Sequence, residues 1–435
     1  MKTSTSKRLR WNVAIWLAAG LFMTGASGMA SGPIMPDPKA EARHQPQVEE
    51  TANGIPLVNI TAPSSGGVSR NEYETFNVPD KGAILNNSYT LSKTELAGYV
   101  QGNNNMAERP AKIIVNEVTG AGSTSMDGFL EVAGNRADVV IANPNGITVN
   151  GGGFINTGKA FLTTGKPVYD GEDHLQRFDI TGGDILIEGK GLGGKETESL
   201  AILSRAVKIN AGIWAKDLHI TTGANTVDAK TLEASAIEGK GGHPAFALDT
   251  AAIGGMYAGR ITLVGTEKGL GVNNSGTWSA EDNLTLDWNG DLKNSGTIYS
   301  KGNTDLRANY LENDKTIAAE RNLSAAAKEN IRNQGKLLAG ENMDIYAGKT
   351  LDNAGHAMES GNNLSIETGD AINNAAGTIK SGGSQQIKAG HTLTNTEGTL
   401  AADGNINIQT DKMTGDGIVS AGKKAGILLE KDFTN

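Results

Sequence analysis

Several residue patterns in this sequence have the spacing of a chemical site. Gly189-Lys190-Gly191-Leu192-Gly193-Gly194 satisfies G-x-G-x-x-G directly after the strand-like run Asp184–Glu188. In a dinucleotide fold such a turn opens a helix whose N-terminus receives the pyrophosphate, and "KETESLAILS" (195–204) has the composition of a short helix. The chain then returns at once to alternation in "AVKINAGIW" (206–214), with no βαβ unit, so the motif reads as a turn. "IANPNGITVNGGGFINT" (141–157) sets Gly151, Gly152 and Gly153 after a strand, as a phosphate loop would. The Lys-Ser or Lys-Thr that must follow those glycines is missing. The 6 His residues, His174, His219 and His243 among them, lie far apart without metal-ligand spacing. A β-helical polysaccharide lyase would need Asp and Arg side chains converging on one face, and the acidic positions vary between repeats. The patterns yield no catalytic residue, cofactor site or metal ligand, and the expectation is that the chain is not an enzyme.

The elements that carry these residues follow from composition and period. The chain has 435 residues, 58 of them Gly, and only 5% aromatics. That is nearly twice the usual glycine share of about 7%, and it predicts many corners around a long, thin aliphatic core. A net charge of −9 argues against nucleic acid, which needs clustered cations to displace counterions. Cysteine is absent, so burial and hydrogen bonds alone hold the fold. The absence suits a chain that crosses an oxidising compartment unfolded, and it is equally consistent with chance or a reducing habitat.

The N-terminus has the layout of a signal peptide. Lys2, Lys7, Arg8 and Arg10 precede the apolar run 11–25, and Gly28-Met29-Ala30 supplies small residues for cleavage after Ala30. The reading is a signal peptide over 1–30 that directs export through the Sec machinery; a membrane anchor is the alternative. Residues 31–53 are Pro-rich and charged without periodicity, and predict a flexible, disordered linker.

From Gly54 onward the period is two. "PAKIIVNEV" (110–118), "ADVVIAN" (137–143), "RFDITGGDILIEG" (177–189) and "RITLVG" (260–265) are short β-type runs bounded by Gly, Asn or Asp. Units then recur from Val272, Leu292, Leu311, Ile331, Leu351, Ile372 and Leu393, in steps of 20, 19, 20, 20, 21 and 21 residues. Their consensus is L-x-N-x-G-T-I, a Gly/Asn-rich turn, then N-L-x-I. Leucine-rich repeats need L-x-x-L-x-L-x-x-N, which these units lack. A β-solenoid fits. Twenty residues at ~3.3 Å each trace roughly 66 Å, enough for three short faces, and coils stack about 4.8 Å apart. Asn274, Asn294, Asn313, Asn333, Asn353, Asn374 and Asn395 recur in register. Stacked at one corner they would form a hydrogen-bonded ladder; simple turn preference would select the same residue.

Asn143-Pro144-Asn145-Gly146 has the order of a type I turn, with Pro at the second position and Gly at the fourth. The stretch from Asn143 through Ile147, followed by "NGGGFINTGKAFLTTG", resembles the signature of the secretion domain of two-partner secretion exoproteins, the filamentous-haemagglutinin-like family. "GVSRNEYETFNV" (67–78), "AKIIVNEV" (111–118), "LSRAVKINAGIWAKDLHITTGAN" (203–225) and "GGMYAGRITLVGTEKGLGVNNSG" (254–276) agree in the family's order. The family's second motif, of Asn-Pro-Asn-Leu type, is degenerate here: Asn103-Asn104-Asn105-Met106 lacks the Pro and has Met for Leu.

The resemblance implies an all-β, right-handed parallel β-helix over about 54–270, with an N-terminal cap and extra-helical strands. Haemagglutinin-type repeats follow over 271–435. It implies export across the outer membrane of a Gram-negative-type bacterium by a dedicated transporter, whose periplasmic receptor domains recognise this domain. The Asn143–Ile147 turn is then either read directly by that partner or shapes the first coils only. Adhesion or haemagglutination at the cell surface, through a receptor on a host or neighbouring cell, is the expected role; carriage of a C-terminal contact-dependent inhibition toxin or a haemolysin is the alternative. The L-x-N-like start in "FTN" (433–435) further suggests that the natural protein continues with more repeats.

Overall fold

Period-two alternation bounded by Gly and Asn becomes short strands at nearly every predicted run. The computed structural model describes residues 32–106 and 109–434. The signal peptide expected at 1–30 lies outside them. Among the described residues the sole helical element is a 3-10 turn at Ala42–His44, and no helix is long and apolar enough to cross a membrane. The architecture is all-β, a right-handed parallel β-helix of about 15 turns.

Within the solenoid, strands pair in parallel with those one coil later. Val272, Leu292, Leu311, Ile331, Leu351, Ile372, Leu393 and Met413 stack in one inward column. Trp278, Ile298, Ile317, Leu337, Met358, Ile379 and Leu400 form a second. Leu286, Leu306, Ala325, Ile345, Ile366, Ile387 and Ile408 form a third, one per face of the coil. These side chains belong to one continuous apolar core running the length of the solenoid. "NLSAAAKEN", helical by composition, supplies the strand Leu323–Ala327, held between Thr304–Ala308 and Met343–Ala347. Pairing on both sides outweighs a helix propensity worth tenths of a kcal/mol per residue.

The first strands are β1 (Ile34–Pro36), β2 (Gln47–Glu50), β3 (Pro56–Asn59), β4 (Val68–Phe76), β5 (Ala83–Asn87), β6 (Ser92–Thr94), β7 (Gly98–Val100) and β8 (Ile113–Val118). The linker expected at 31–53 is therefore corrected: from residue 32 on it forms a cap. β1 runs antiparallel to β4 with Ile34 opposite Phe76, and β2 runs antiparallel to β3 with Val48 opposite Val58. The composition misleads because only Ile34, Met35 and Val48 carry large apolar side chains among prolines and charges. Their strands bind what the first coil would otherwise leave bare, the backbone edges of β3 and β4. Proline is tolerated there because edge strands have N–H groups to spare.

Two excursions leave the solenoid. β6 and β7 form a hairpin. Lys166–Tyr169, Leu175–Ile180, Asn225–Asp228 and Ala234–Ala236 form a four-stranded antiparallel sheet in that order. That sheet covers the outer face of the early coils. Phe178, Ile180 and Val227 pack on Val115, Val140, Phe161, Ala201 and Leu203 in a second core. This is why "DVVIA" reads as a continuous apolar run: Val139 and Ile141 face the solenoid core, Val140 and Ala142 the second core.

Candidate functional site: asparagine corners and the capped end

The Asn143 corner is built by side-chain amides. Gly146 N–H donates to the Asn143 carbonyl (3.1 Å), closing the four-residue turn. Asn143 Oδ1 accepts the Asn145 N–H (2.9 Å). Asn143 Nδ2 donates to the Gly122 carbonyl (2.9 Å) and to Thr124 Oγ1 (3.0 Å), in the preceding coil. Asn145 Nδ2 reaches the Gly120 carbonyl (2.8 Å). Asn143 is fully buried, while Pro144 and Asn145 are exposed on a ridge beside Gly122. Gly146 has φ +111°, and a Cβ there would lie 3.0 Å from the Asp184 carbonyl of the next coil, so the position demands glycine. Ile147 turns into the core.

The degenerate motif makes the same corner. Met106 N–H donates to the Asn103 carbonyl (3.1 Å), and Asn105 N–H to Asn103 Oδ1 (2.9 Å). Asn103 Nδ2 donates to the Ile60 and Asn86 carbonyls, both at 2.9 Å, and Asn105 Nδ2 to Ile60 (3.1 Å). Exposed Asn104 stands where the other corner has Pro144, and Met106 is buried in the core. The two asparagines supply the bonds at both corners. Proline adds only a preset φ.

In the repeats the seven asparagines stack. Nδ2 of each donates to Oδ1 of the next, from Asn274 to Asn294 (2.8 Å), Asn313 (2.8 Å), Asn333 (2.8 Å), Asn353 (2.7 Å), Asn374 (2.9 Å) and Asn395 (2.8 Å). All are buried. The column stops at Asn395, where the next rung presents Gly415. A second, more exposed column went unassigned in the sequence reading. Asn283, Asn303, Asn322, Asn342 and Asn363 link through Oδ1, which accepts the backbone N–H of the following rung's asparagine. Its signal was the asparagine opening N-L-x-I. Amide donors point along the chain in the first column and against it in the second.

The capped end holds a buried ionic cluster that spacing alone could not reveal. His44 Nδ1 lies 3.1 Å from Glu72, and Arg70 lies 2.8 Å from Glu72 and 3.4 Å from Glu117. The Arg70 guanidinium sits 4.5 Å over the Tyr169 ring, and Arg43 pairs with Asp173 (2.8 Å). The cluster thus ties the cap, β4, β8 and the extra-helical sheet together. Burial pushes the Glu117 carboxyl up against the pull of Arg70, and burial together with Arg70 pushes His44 down. At the sheet's far end, Arg205 pairs with Glu267 (2.8 Å) and donates to the Lys240 carbonyl (2.7 Å). The hydrogen bond from Arg205 to Glu267 holds that carboxyl below its usual range.

The remaining sequence candidates lie in turns and ion pairs away from these corners. Gly189 and Gly191 have positive φ in a turn between strands. His174 pairs with Asp170 and His243 with Glu267, and among the described residues no cluster of three or more His, Asp or Glu side chains could hold a metal.

The described residues thus form a capped parallel solenoid whose corners are locked by amides and whose early coils carry a covering sheet. The chain belongs to the family of the TPS secretion domain, whose model matches residues 33–300; haemagglutinin-repeat models match 299–356 and 344–429. It is similar to Toxin CdiA of Yersinia pestis, 41% identical over 298 residues, which are 63% of this chain and 9% of that protein. It is also similar to 16S rRNA endonuclease CdiA of Enterobacter cloacae, 39% identical over 354 residues, 74% of this chain and 10% of that protein. The chain therefore spans about a tenth of the length of these curated relatives. Among solved structures, the filamentous hemagglutinin secretion domain aligns with TM-score 0.55 and 28% identity, over 75% of this chain and all of that one.

Proposed function

We propose that this chain is the export-directing end and first shaft segment of a large surface protein that carries a toxin to neighbouring cells. The observation behind the export half is the asymmetry of the solenoid. Its N-terminal end is sealed by β1 and β2, so coils can be added in one direction only, each on the edge of the last. In this reading the chain crosses the periplasm unfolded, is held by the transporter's periplasmic receptor domains, and folds outside rung by rung. Burial of each coil then supplies directionality without a nucleotide. The effector half rests on the relatives, named as toxins and nucleases at about 40% identity. The nuclease names refer to regions that this chain does not cover. The haemagglutinin-repeat matches support adhesion as the second reading.

Residues 1–435 expressed with and without the cognate transporter test the export half: surface protein should appear only with the partner, and the periplasmic pool should rise without it. For the effector half, cells bearing the full-length protein are mixed with unprotected neighbours. Loss of neighbour viability on contact supports toxin carriage. Binding to neighbours without killing favours the adhesin.

A further inference from the structure

The groove beneath the extra-helical sheet continues past the end of that sheet. Under the sheet, the outward column Ala142, Thr163, Leu203 and Thr221 is completely buried. The same column continues in register through Val264 to Asp287, Arg307, Ala326 and Tyr346, where the sheet no longer covers it. A cavity of about 390 Å³ opens there, bounded by Arg307, Lys328, Tyr346 and the buried Ala308 and Ala327 at its base, with Ala234 of the sheet on one wall. It spans five rungs, about 19 Å at ~4.8 Å per rung. Ala326 makes a notch between two long side chains, and the Tyr346 ring beside it is 49% exposed.

Ala234–Ala236 is the edge of the sheet on this side and pairs only with Asn225–Asp228. Asp228 N–H donates to the Glu233 carbonyl and Ile237 N–H to the Ala224 carbonyl, both at 3.0 Å. By the alternation of an antiparallel ladder, Ala234 and Ala236 therefore turn their N–H and C=O groups away from the sheet. Ser235 and Ala236 are exposed, and the strand contains no Lys, Pro or bulge to blunt it.

We propose that this edge and groove are a docking site for one extended polypeptide strand of a partner protein. The strand pairs with Ala234 and Ala236 and sets a bulky apolar side chain into the notch at Ala326. The occupant follows from continuity: four strands already lie on this column with Phe178, Ile180 and Val227 pointing down, and the column continues where the strands stop. A second copy of the chain does not fit. Edge-to-edge pairing about a twofold axis would put both solenoids on the same side of the sheet, and this solenoid already runs beneath the edge. A glycan would fill the groove but leave the edge unpaired.

The probe is a synthetic peptide with the sequence of residues 175–181, whose Phe178 and Ile180 counterparts already suit this face. Binding to the 435-residue chain is followed by fluorescence anisotropy and by hydrogen exchange over 233–237. The expected result is saturable binding with exchange in that segment slowed about tenfold. Ala236→Pro removes one outward N–H at an edge that tolerates proline, and Ala326→Trp fills the notch from a different element. Each should weaken binding about tenfold or more. Absence of binding at millimolar peptide overturns the proposal. So does binding that leaves 233–237 unprotected, as a glycan-type groove would, or that ignores both substitutions. Dimerisation of the chain that is lost in Ala236→Pro also overturns it.

Discussion

At the residue scale, the two corners form a natural substitution experiment. Asn103 and Asn105 keep the turn-closing Oδ1 bond and the Nδ2 bonds to the preceding coil that Asn143 and Asn145 make, although Asn104 replaces the proline. Pro144→Ala should therefore cost under about 1 kcal/mol, the entropy of a freed φ. Asn143→Ala, which leaves the Asn145 N–H without its acceptor and takes the shorter of two bonds from the Gly122 carbonyl, should cost about 1–3 kcal/mol. Urea midpoints compare them directly, and equal shifts would make proline the organising residue. His219 provides a pH handle. Burial lowers it to about 4 from 6.5. Because its folded pKa is depressed, its contribution is fully present above about pH 6.5 and is lost as pH falls toward 4. That contribution reaches up to about 3 kcal/mol. His219→Gln should flatten the stability–pH curve between pH 6.5 and 4, as read by thermal melts in a buffer series.

The ladders belong to the element scale, since no single rung explains them. Asn333 donates to Asn353 and to the Ala357 carbonyl, and accepts from Asn313. Asn333→Ala breaks these together at a buried position and should lower stability by about 1–3 kcal/mol. Lys349 only pairs with Glu329 on the surface, so Lys349→Ala should stay within about 0.5 kcal/mol. Equal denaturation shifts would reduce the asparagines to turn formers. The cap is the other decisive element. Deleting 33–53 bares β3 and β4, and sedimentation velocity should then show concentration-dependent association that the parent chain lacks.

For the whole molecule, register is the quantity to protect, because coils of similar shape could pair in the wrong order. Outward charges alternate from rung to rung. Lys293 lies 3.5 Å from Glu312, Arg332 lies 3.4 Å from Glu312, and Asp352 is next in register. Removing residues 331–350, one full coil, should leave a folded solenoid, since Leu311 and Asn313 then meet Leu351 and Asn353 in the roles of Ile331 and Asn333. It also sets Glu312 against Asp352, a like-charge pair. In that background Asp352→Lys should raise the urea midpoint, by the equivalent of about 0.2–1 kcal/mol. In the parent chain, where residue 352 faces Arg332, the same substitution should lower it. A change of the same sign in both would show that charge order plays no part in register.

The sequence by itself determined the coil. Period-two alternation, a step near 20 residues and asparagine at one fixed place dictate a stacked β solenoid, because each is a local property repeated along the chain. The turn at Asn143 was legible for the same reason, since its four residues carry their own geometry. Only the tertiary structure decided the rest. The cap at 32–53 looks like a linker because its stabilisation comes from the edges of β3 and β4, not from its own residues. The cluster of His44, Arg70, Glu72 and Glu117 joins positions up to 73 residues apart that meet only after coiling. The reach of the sheet across the coils, and the bare edge it leaves at Ala234–Ala236, depend on where an excursion lands on a surface built by other coils. Local pattern fixes what repeats; contacts between distant segments are set by packing, and no window of sequence contains them.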